Sequence, residues 1–304
     1  MDYDKRLDRV LDSSEILRIG DASRIAFLSD CHRGDGSWAD NFARNQSVYC
    51  AALEQYFDGD YTYIEIGDGD ELWENGRIAP VISAHRNVFE MLDRFRRAGR
   101  LVMLYGNHDM AKSRARKFTY RYYDPRQKKC AELLEGIDVR EGITIEYEGK
   151  KMLAVHGHQA DFLNSALWKL ARFLVRHFWR PLELLGFKDP TSASKNDKKR
   201  LAVESRLSGW ARKRGKMIIA GHTHRPAFPE PGSSLYFNDG CCVHPNSITA
   251  IEISGGEISL VKWHVKAGKN GILFAGKDVA AGPVKIRDFF GAGGNAQDTA
   301  GYCG

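Results

Sequence analysis

The alternation of short apolar runs with helical segments predicts an α/β chain built on a parallel sheet. Three observations carry this reading. Residues 24–29 (RIAFLS), 61–66 (YTYIEI) and 100–105 (RLVMLY) have the length and the β-branched or aromatic content of covered strands. The stretches between them space their apolar residues as helices do. Each run ends in a cluster of Gly, Asp, Asn or His, the place where α/β folds keep their chemistry.

In chain order, the first run ends at Asp30. Residues 41–57 form a helix whose apolar positions include Phe42, Val48, Ala52 and Tyr56. The second run ends at Gly67-Asp68. Pro80 opens a helix that continues to about Ala98, where Gly99 stops it, and the third run ends at Gly106-Asn107. Residues 143–155 read as a hairpin turning at Glu148-Gly149-Lys150 and ending at His156. A mostly helical insertion follows over 160–213, interrupted by Pro181 and the turn-rich KDPTSASKND. Residues 216–220 are a further strand, and 234–263 supply more, with a hairpin around Ser254-Gly255-Gly256. From about 276 the chain is rich in Gly and Ala and reads as a loose tail. The organisation expected is one domain over 1–275, with its insertion at 160–213, and a tail over 276–304.

The 304 residues, 43% hydrophobic and 28% charged, suffice for a sizeable core. The formal charge of +6 suits an anionic substrate or surface without naming one. There is no run of about 18 apolar residues, so no membrane-spanning helix is expected. The N-terminal MDYDKRLDRV has no apolar leader core. The six cysteines show no CxxC spacing and read as reduced thiols, which points to a cytoplasmic protein.

The segment MIIAGHTHRP ends an apolar strand in two histidines one residue apart, after a glycine that permits a sharp turn. An isolated pair of this kind is as readily a surface loop. Here five strand ends carry ligand-type residues: Asp30-Cys31-His32, Gly67-Asp68, Gly106-Asn107-His108-Asp109, His156-Gly157-His158 and Gly221-His222-Thr223-His224. Each has a plain alternative: a cap for Asp30, a turn for Gly67-Asp68, a satisfied core histidine for His156. Five coincidences at five strand ends outweigh those alternatives. Asp30, His32, Asp68, Asn107, His156, His222 and His224 make a ligand set suited to two divalent transition metal ions, Mn²⁺ first and Fe or Zn²⁺ next, with Asp68 as the bridge. Two such ions clamp the attacking and leaving oxygens of an in-line displacement at phosphorus and generate a bridging hydroxide as nucleophile.

The set DCH, GD, GNHD, HGH and GHTH resembles the calcineurin-like metallophosphoesterase superfamily over roughly residues 24–264. The resemblance implies a four-layer αββα sandwich, two packed mixed sheets flanked by helices, with the 160–213 insertion as a helical lid. It implies one metal on Asp30, His32, Asp68 and His224 and another on Asp68, Asn107, His156 and His222. His108 falls at the family's catalytic histidine, Asp109 at its accompanying acid, and Glu71 where some members orient that histidine. GDGDELW followed by GHTHRP is similar to the branch containing UDP-2,3-diacylglucosamine diphosphatases. That branch carries Arg and Asp where this chain has His108 and His158, and at both positions the chain is closer to general phosphoesterases.

The insertion DFLNSALWKLARFLVRHFWRP bears two apolar stripes, Leu163, Leu167, Leu170, Leu174, Phe178 and Trp168, Ala171, Val175, Trp179, beside the basic Lys169, Arg172, Arg176 and Arg180. One reading is a packed helix with a solvated basic face. The other is a lid whose apolar side meets a lipid tail or membrane while Arg172, Arg176 and Trp168 meet substrate, with His158 near the phosphate or orienting His156. The basic run Lys195 to Lys216 reads as a solvated face; no aromatic platform interleaves it, which argues against nucleic acid. The expectation is therefore a hydrolase of a phosphoester or pyrophosphate on a small-molecule or lipid-linked substrate, in the cytoplasm or at the inner membrane face. The alternatives are a general or nucleotide phosphodiesterase, a phosphoprotein phosphatase, and a metal-binding interaction scaffold of the same fold.

Overall fold

The computed structural model describes residues 2–114, 117–124, 127–161, 173, 175 and 196–291. Two mixed sheets pack face to face with helices outside each. The chain begins with helix α1 (Tyr3–Ser13), capped by the Asp2 carboxylate, and strand β1 (Ile16–Ile19). Strands β2 (Arg24–Leu28), β3 (Thr62–Ile66) and β4 (Leu101–Leu104) run parallel side by side. Between them lie α2 (Gln46–Asp58), α3 (Ile78–Ala84) and α4 (Arg86–Arg97).

The continuous helix expected from Pro80 to Ala98 is two helices. They part at His85, whose buried ring bonds Asp40 and Gln46 across the loop after β2. Strands β5 (Phe118–Asp124) and β6 (Lys129–Ile137) form a separate two-stranded hairpin that periodicity did not indicate. The short β7 (Val139–Arg140) completes one end of the large sheet.

The hairpin expected over 143–155 is β8 (Gly142–Tyr147) and β9 (Lys150–Val155), joined by Glu148 and Gly149 with φ of 49° and 74°. This left-handed pair is the two-residue turn that matches strand twist. Beyond a single 3-10 turn lies α5 (Asp197–Arg214), then β10 (Met217–Ala220) and β11 (Tyr236–Asn238). The chain continues through β12 (Ser247–Ser254), β13 (Glu257–Ala267), β14 (Leu273–Lys285) and α6 (Ile286–Gly291). The segment from 276 therefore is not loose as far as Gly291: it pairs with β13 along the edge of the large sheet, and Phe289 packs on Phe237. Its alanines and glycines are strand residues, a use that composition does not distinguish from disorder.

The sheets have the orders β1-β8-β9-β10-β11 and β14-β13-β12-β2-β3-β4-β7. One apolar cluster fills the space between them, with Ile25, Phe27, Ile64 and Ile66 facing Ile145, Met152, Ala154 and Ile219. A second cluster packs α2 and α4 on the outer face of the large sheet through Leu53, Tyr56, Phe89 and Phe95. The third packs α1 and α5 on the small sheet through Leu7, Val10, Leu207 and Trp210. The strands carry long apolar runs because both faces of each sheet are covered.

Helix α5 corrects the lid expectation for its own length. Residues 197–213 are an outer layer of the fold, with Val203, Leu207, Trp210 and Ala211 buried on the sheet. Trp168, Arg172 and Arg176, named as substrate contacts, lie outside the described residues, as do the other stripe positions except Val175, which is buried. Among the described residues no helix is long and apolar enough to cross a membrane.

Trp210 holds this outer layer: it is fully buried and its indole N–H donates to Asp8 of α1 at 2.9 Å. Trp210→Ala should lower unfolding stability by about 3–5 kcal/mol, the range for truncating a large buried aromatic. Denaturant unfolding checks this; a loss below about 1 kcal/mol would mean that α5 is loosely attached.

Candidate metal centre

All five ligand-bearing segments follow strands whose C-terminal ends lie together: β2, β3 and β4 in one sheet, β9 and β10 in the other. Backbone bonds tie the loops to one another. The Asp30 N–H donates to Gly67 O (3.1 Å), His32 N–H to Asp68 O (2.9 Å), and Gly221 N–H to His156 O (3.0 Å). Asp30, His32, Asp68, His222 and His224 all have positive φ, between 47° and 67°. Such conformations are uncommon for non-glycine residues and gather where surroundings over-determine the backbone at functional sites.

Gly221 has a different role from the turn expected of it. Its φ is not positive; His222 and His224 make the left-handed steps. A Cβ on Gly221 would stand 2.1 Å from Ser29 Oγ and 2.5 Å from Asp30 Oδ2. Gly106 is similar, since a Cβ there would lie 2.1 Å from Asp68 Oδ1. Both glycines make room for a carboxylate that must sit against the backbone.

Two groups of donor atoms converge. In the first, His224 Nε2 is 3.0 Å from Asp30 Oδ1, and His32 Nε2 is 3.6 Å from that oxygen and 3.3 Å from His224 Nε2. In the second, His156 Nε2 is 3.1 Å from Asp68 Oδ2, and His222 supplies a nitrogen to the same group. Asp68 Oδ2 also lies 3.8 Å from His32 Nε2, so one oxygen stands between the groups. The other, Oδ1, accepts the His108 N–H at 2.8 Å. Asp30 divides its oxygens likewise: Oδ2 accepts the His222 N–H at 2.8 Å and Oδ1 faces the centre.

The residues fit two cations. Asp30 Oδ1, Asn107 Oδ1 and His156 Nε2 are buried without a hydrogen-bond partner. Unsatisfied polar atoms of this kind cost folding energy unless something else completes them. The tautomers agree: His156 Nδ1 donates to Ile66 O at 2.9 Å and His32 Nδ1 to Glu71 at 2.8 Å, which leaves each Nε2 lone pair directed at the centre. The field agrees too. Burial opposes charge on Asp30 and Asp68, yet neighbouring histidines hold both carboxyls well below the usual range. Burial also opposes charge on His156 and His224, and there the carboxylates win, lifting them to about 9 and about 10. The centre thus attracts positive charge, and bound metal displaces such protons.

Beside the centre, Glu71 holds two histidines by their Nδ1 atoms: His32 at 2.8 Å and His108 at 2.8 Å. His108 stacks on Trp73 with ring centroids 4.1 Å apart, and its side chain is 22% exposed. Its Nε2 is the nitrogen left to face a substrate. Asp109, named as a catalytic acid, is instead fully buried, with Oδ1 accepting from Gly106 N–H (2.7 Å) and Oδ2 from Gly69 N–H (3.2 Å) and Lys112 Nζ (2.7 Å). It ties the β3 and β4 loops together and reaches no open space. His158 is also fully buried, with both ring nitrogens lacking a hydrogen-bond partner and its ring 5.5 Å from that of His156; it makes no hydrogen bond to His156, whose Nδ1 is bonded to Ile66. Burial, then His156 and Arg6, push its basicity well down, which leaves it neutral.

Four residues around the centre went unnoticed in the sequence. Asp161 sits 3.4 Å from His222 Nε2, Trp73 stacks on His108, and Arg33 with Lys112 forms a charge network below the loops. Arg33 bonds Glu65 through both terminal nitrogens (2.7 and 2.9 Å) and Asp70 through Nε (2.7 Å), while Lys112 joins Asp70 and Asp109. Trp73 closes the GDGDELW motif, though its stacking partner is not written there; no motif marks Asp161, Arg33 or Lys112, each an ordinary charged side chain in its local sequence.

A model of the calcineurin-like phosphoesterase family matches residues 23–226, two thirds of the chain. No curated protein matches. Solved structures with similar folds include a predicted phosphoesterase from Streptococcus pneumoniae TIGR4, at 13% identity and TM-score 0.35 over 84% of this chain and 97% of that one. An archaeal phosphodiesterase matches at 16% identity and TM-score 0.36, over 84% and 99%. Vps29 of Chaetomium thermophilum matches at 10% identity and TM-score 0.40, over 85% and 96%. At these scores the likenesses carry no argument.

Two substitutions test this construction. Gly106→Ala should displace Asp68 and abolish uptake of two metal equivalents, measured by elemental analysis after reconstitution; retention of both would show that the cradle is slack. Lys112→Ala should cost about 3–5 kcal/mol of stability, because it leaves Asp70 and Asp109 buried beside an unfilled cation position. A denaturation midpoint near that of the unmodified protein would refute this.

Proposed function

The chain belongs to the calcineurin-like phosphoesterase family and is a hydrolase of phosphoester bonds, and on that footing we propose that it cleaves a phosphodiester or pyrophosphate at a two-metal centre, with His108 serving the leaving oxygen. The observation that carries the reading is the paired donor groups sharing Asp68, with a histidine fixed by Glu71 at their rim. Asp30, His32, Asp68 and His224 would hold one cation, and Asp68, Asn107, His156 and His222 the other. When bound, the ions supply Lewis-acid polarisation of phosphoryl oxygens and lower the pKa of water.

The protein's own residues do the rest. Glu71 accepts from His108 Nδ1, so the proton that His108 gives comes from Nε2 and goes to the departing oxygen. Trp73 stacks on one face of that ring and His32 meets it edge-on with centroids 4.6 Å apart, which limits its rotation. Burial would raise the Glu71 carboxyl, but His108 and His32 outweigh it and keep it ionised. Glu71 thereby couples the orientation of a metal ligand to that of the proton donor.

For substrate, we favour a nucleotide diphosphate linked to a lipid, such as UDP-2,3-diacylglucosamine. GDGDELW and GHTHRP support it, as does the apolar and basic composition of 162–180. A general phosphodiesterase is the second reading, supported by the histidine at 108. Turnover of UDP-diacylglucosamine, other nucleotide diphosphates, cyclic nucleotides and p-nitrophenyl phosphates, each with Mn²⁺, Zn²⁺ or Mg²⁺, separates the two. Hydrolysis only of aryl and cyclic diesters would remove the lipid reading. The interaction-scaffold alternative fails if any of these turns over.

His108→Ala should reduce kcat by about 10²–10⁴-fold while metal occupancy persists. Asp68→Ala should lose metal and activity together, as should chelation, with recovery on readdition. Equal metal loss in both variants would show that His108 is a ligand and not a proton donor.

A further inference from the structure

The β13–β14 hairpin takes no part in the metal centre, yet its tip is unlike the surrounding surface. Strand β12 runs antiparallel to β2, with Ile251 opposite Phe27, and β13 antiparallel to β12, with His264 opposite Ser247. The C-terminal end of β13 therefore points the same way as the C-terminal end of β2, toward the edge that carries Asp30 and His32. Strand β13 continues past His264 to Ala267, which pairs with Leu273. At the rise of a strand, that carries the turn roughly 10 Å beyond His264.

Ile272, Leu273 and Phe274 follow one another at this tip and are 63%, 68% and 50% exposed. Adjacent strand residues face opposite sides. Leu273 shares one face with exposed Val265, two positions before its partner Ala267, and Phe274 lies on the other. Lone exposed apolar residues are ordinary, but a contiguous group on a projecting turn marks an interaction site. Lys269, exposed, lies in the turn itself, and exposed Lys262 lies farther back on β13, opposite Asp278 in register; neither makes an ion pair among the described residues, while Lys266 and Lys277 pair with Asp278 and Glu252.

We propose that this hairpin tip inserts into the headgroup region of an anionic bilayer and holds the rim of the metal centre toward the membrane surface. A docked protein covers one face of a hairpin, whereas a tip that is apolar on both faces is covered by a medium that surrounds it. Lys269 in the turn, with Lys262 behind it on the same hairpin, complements anionic lipid. Strand β14 is also an open sheet edge on which a second copy could pair, but Pro283 and the charges of Lys277 and Asp278 blunt that edge. The inference depends neither on the substrate reading nor on residues 160–213.

The test is co-sedimentation of the full chain with vesicles of phosphatidylglycerol and phosphatidylcholine, and with vesicles of phosphatidylcholine alone. The unmodified protein should bind the anionic vesicles, and more weakly at high salt. Combined Ile272→Ser, Leu273→Ser and Phe274→Ser should weaken that binding about tenfold or more. Lys262→Glu with Lys269→Glu should weaken it through charge alone. All variants should hydrolyse a water-soluble chromogenic diester at the unmodified rate. The proposal is overturned if the unmodified protein ignores anionic vesicles or if the triple variant binds them equally well. It is also overturned if sedimentation velocity shows a dimer that the triple variant dissociates while neither protein binds vesicles. Absence of diester turnover in the unmodified protein would count against the phosphoesterase reading instead and would leave the vesicle result readable.

Discussion

The Asp68 carboxylate is the point on which the candidate site depends. One oxygen accepts the backbone N–H of His108 and the other faces both His156 and His32. A single side chain thus fixes the β4 loop and stands between two donor groups. Its position requires a glycine at 106, since any Cβ there would overlap it, and a left-handed backbone at Asp68 itself. Strain of this kind persists only in a rigid frame. The frame is the pair of sheets, whose packed faces leave the strand ends no freedom to separate.

A second constraint lies just below. Arg33 and Lys112 are fully buried cations among Glu65, Asp70 and Asp109. Removing such charges from water costs several kcal/mol per ion, so the network adds little net stability compared with an apolar core. It does confer geometry. Arg33 follows His32, Asp70 precedes Glu71 and Asp109 follows His108, so the network links the three loops that present His32, Asp68 and His108. Tyr120 joins it through Asp70 at 2.9 Å, which attaches the β5–β6 hairpin to the same structure. A hairpin that appears peripheral in the topology is therefore bonded to the floor of the site.

The same edge of the large sheet carries the ligand loops and, farther along, the apolar tip of β13–β14. Antiparallel order places both there: β12 turns the chain back beside β2, and β13 returns it to the site edge. Chemistry and the proposed surface contact thus share one side of the molecule, an arrangement suited to a substrate presented at an interface.

The strands were legible in the sequence because both faces of each sheet are covered, which produces unbroken apolar runs at 24–29, 61–66, 100–105 and 216–220. The residues of the candidate centre were legible because Asp, Asn and His stand directly after those runs. Other features were decided in three dimensions. His85 breaks an apparently continuous helix because Asp40 and Gln46 meet its ring from a distant loop. The Gly- and Ala-rich stretch at 276–285 is a strand because β13 offers it an edge. Asp109 and His158 look equivalent in sequence to residues that line the centre, yet the fold turns the first toward Lys112 and leaves the second buried with its ring 5.5 Å from that of His156. Glu71 could be placed beside His108 from its motif, but only the folded chain has it hold His32 as well. Local sequence sets which residues a strand end carries; the direction each side chain faces depends on partners tens or hundreds of residues away, and those partners exist only after the sheets have packed.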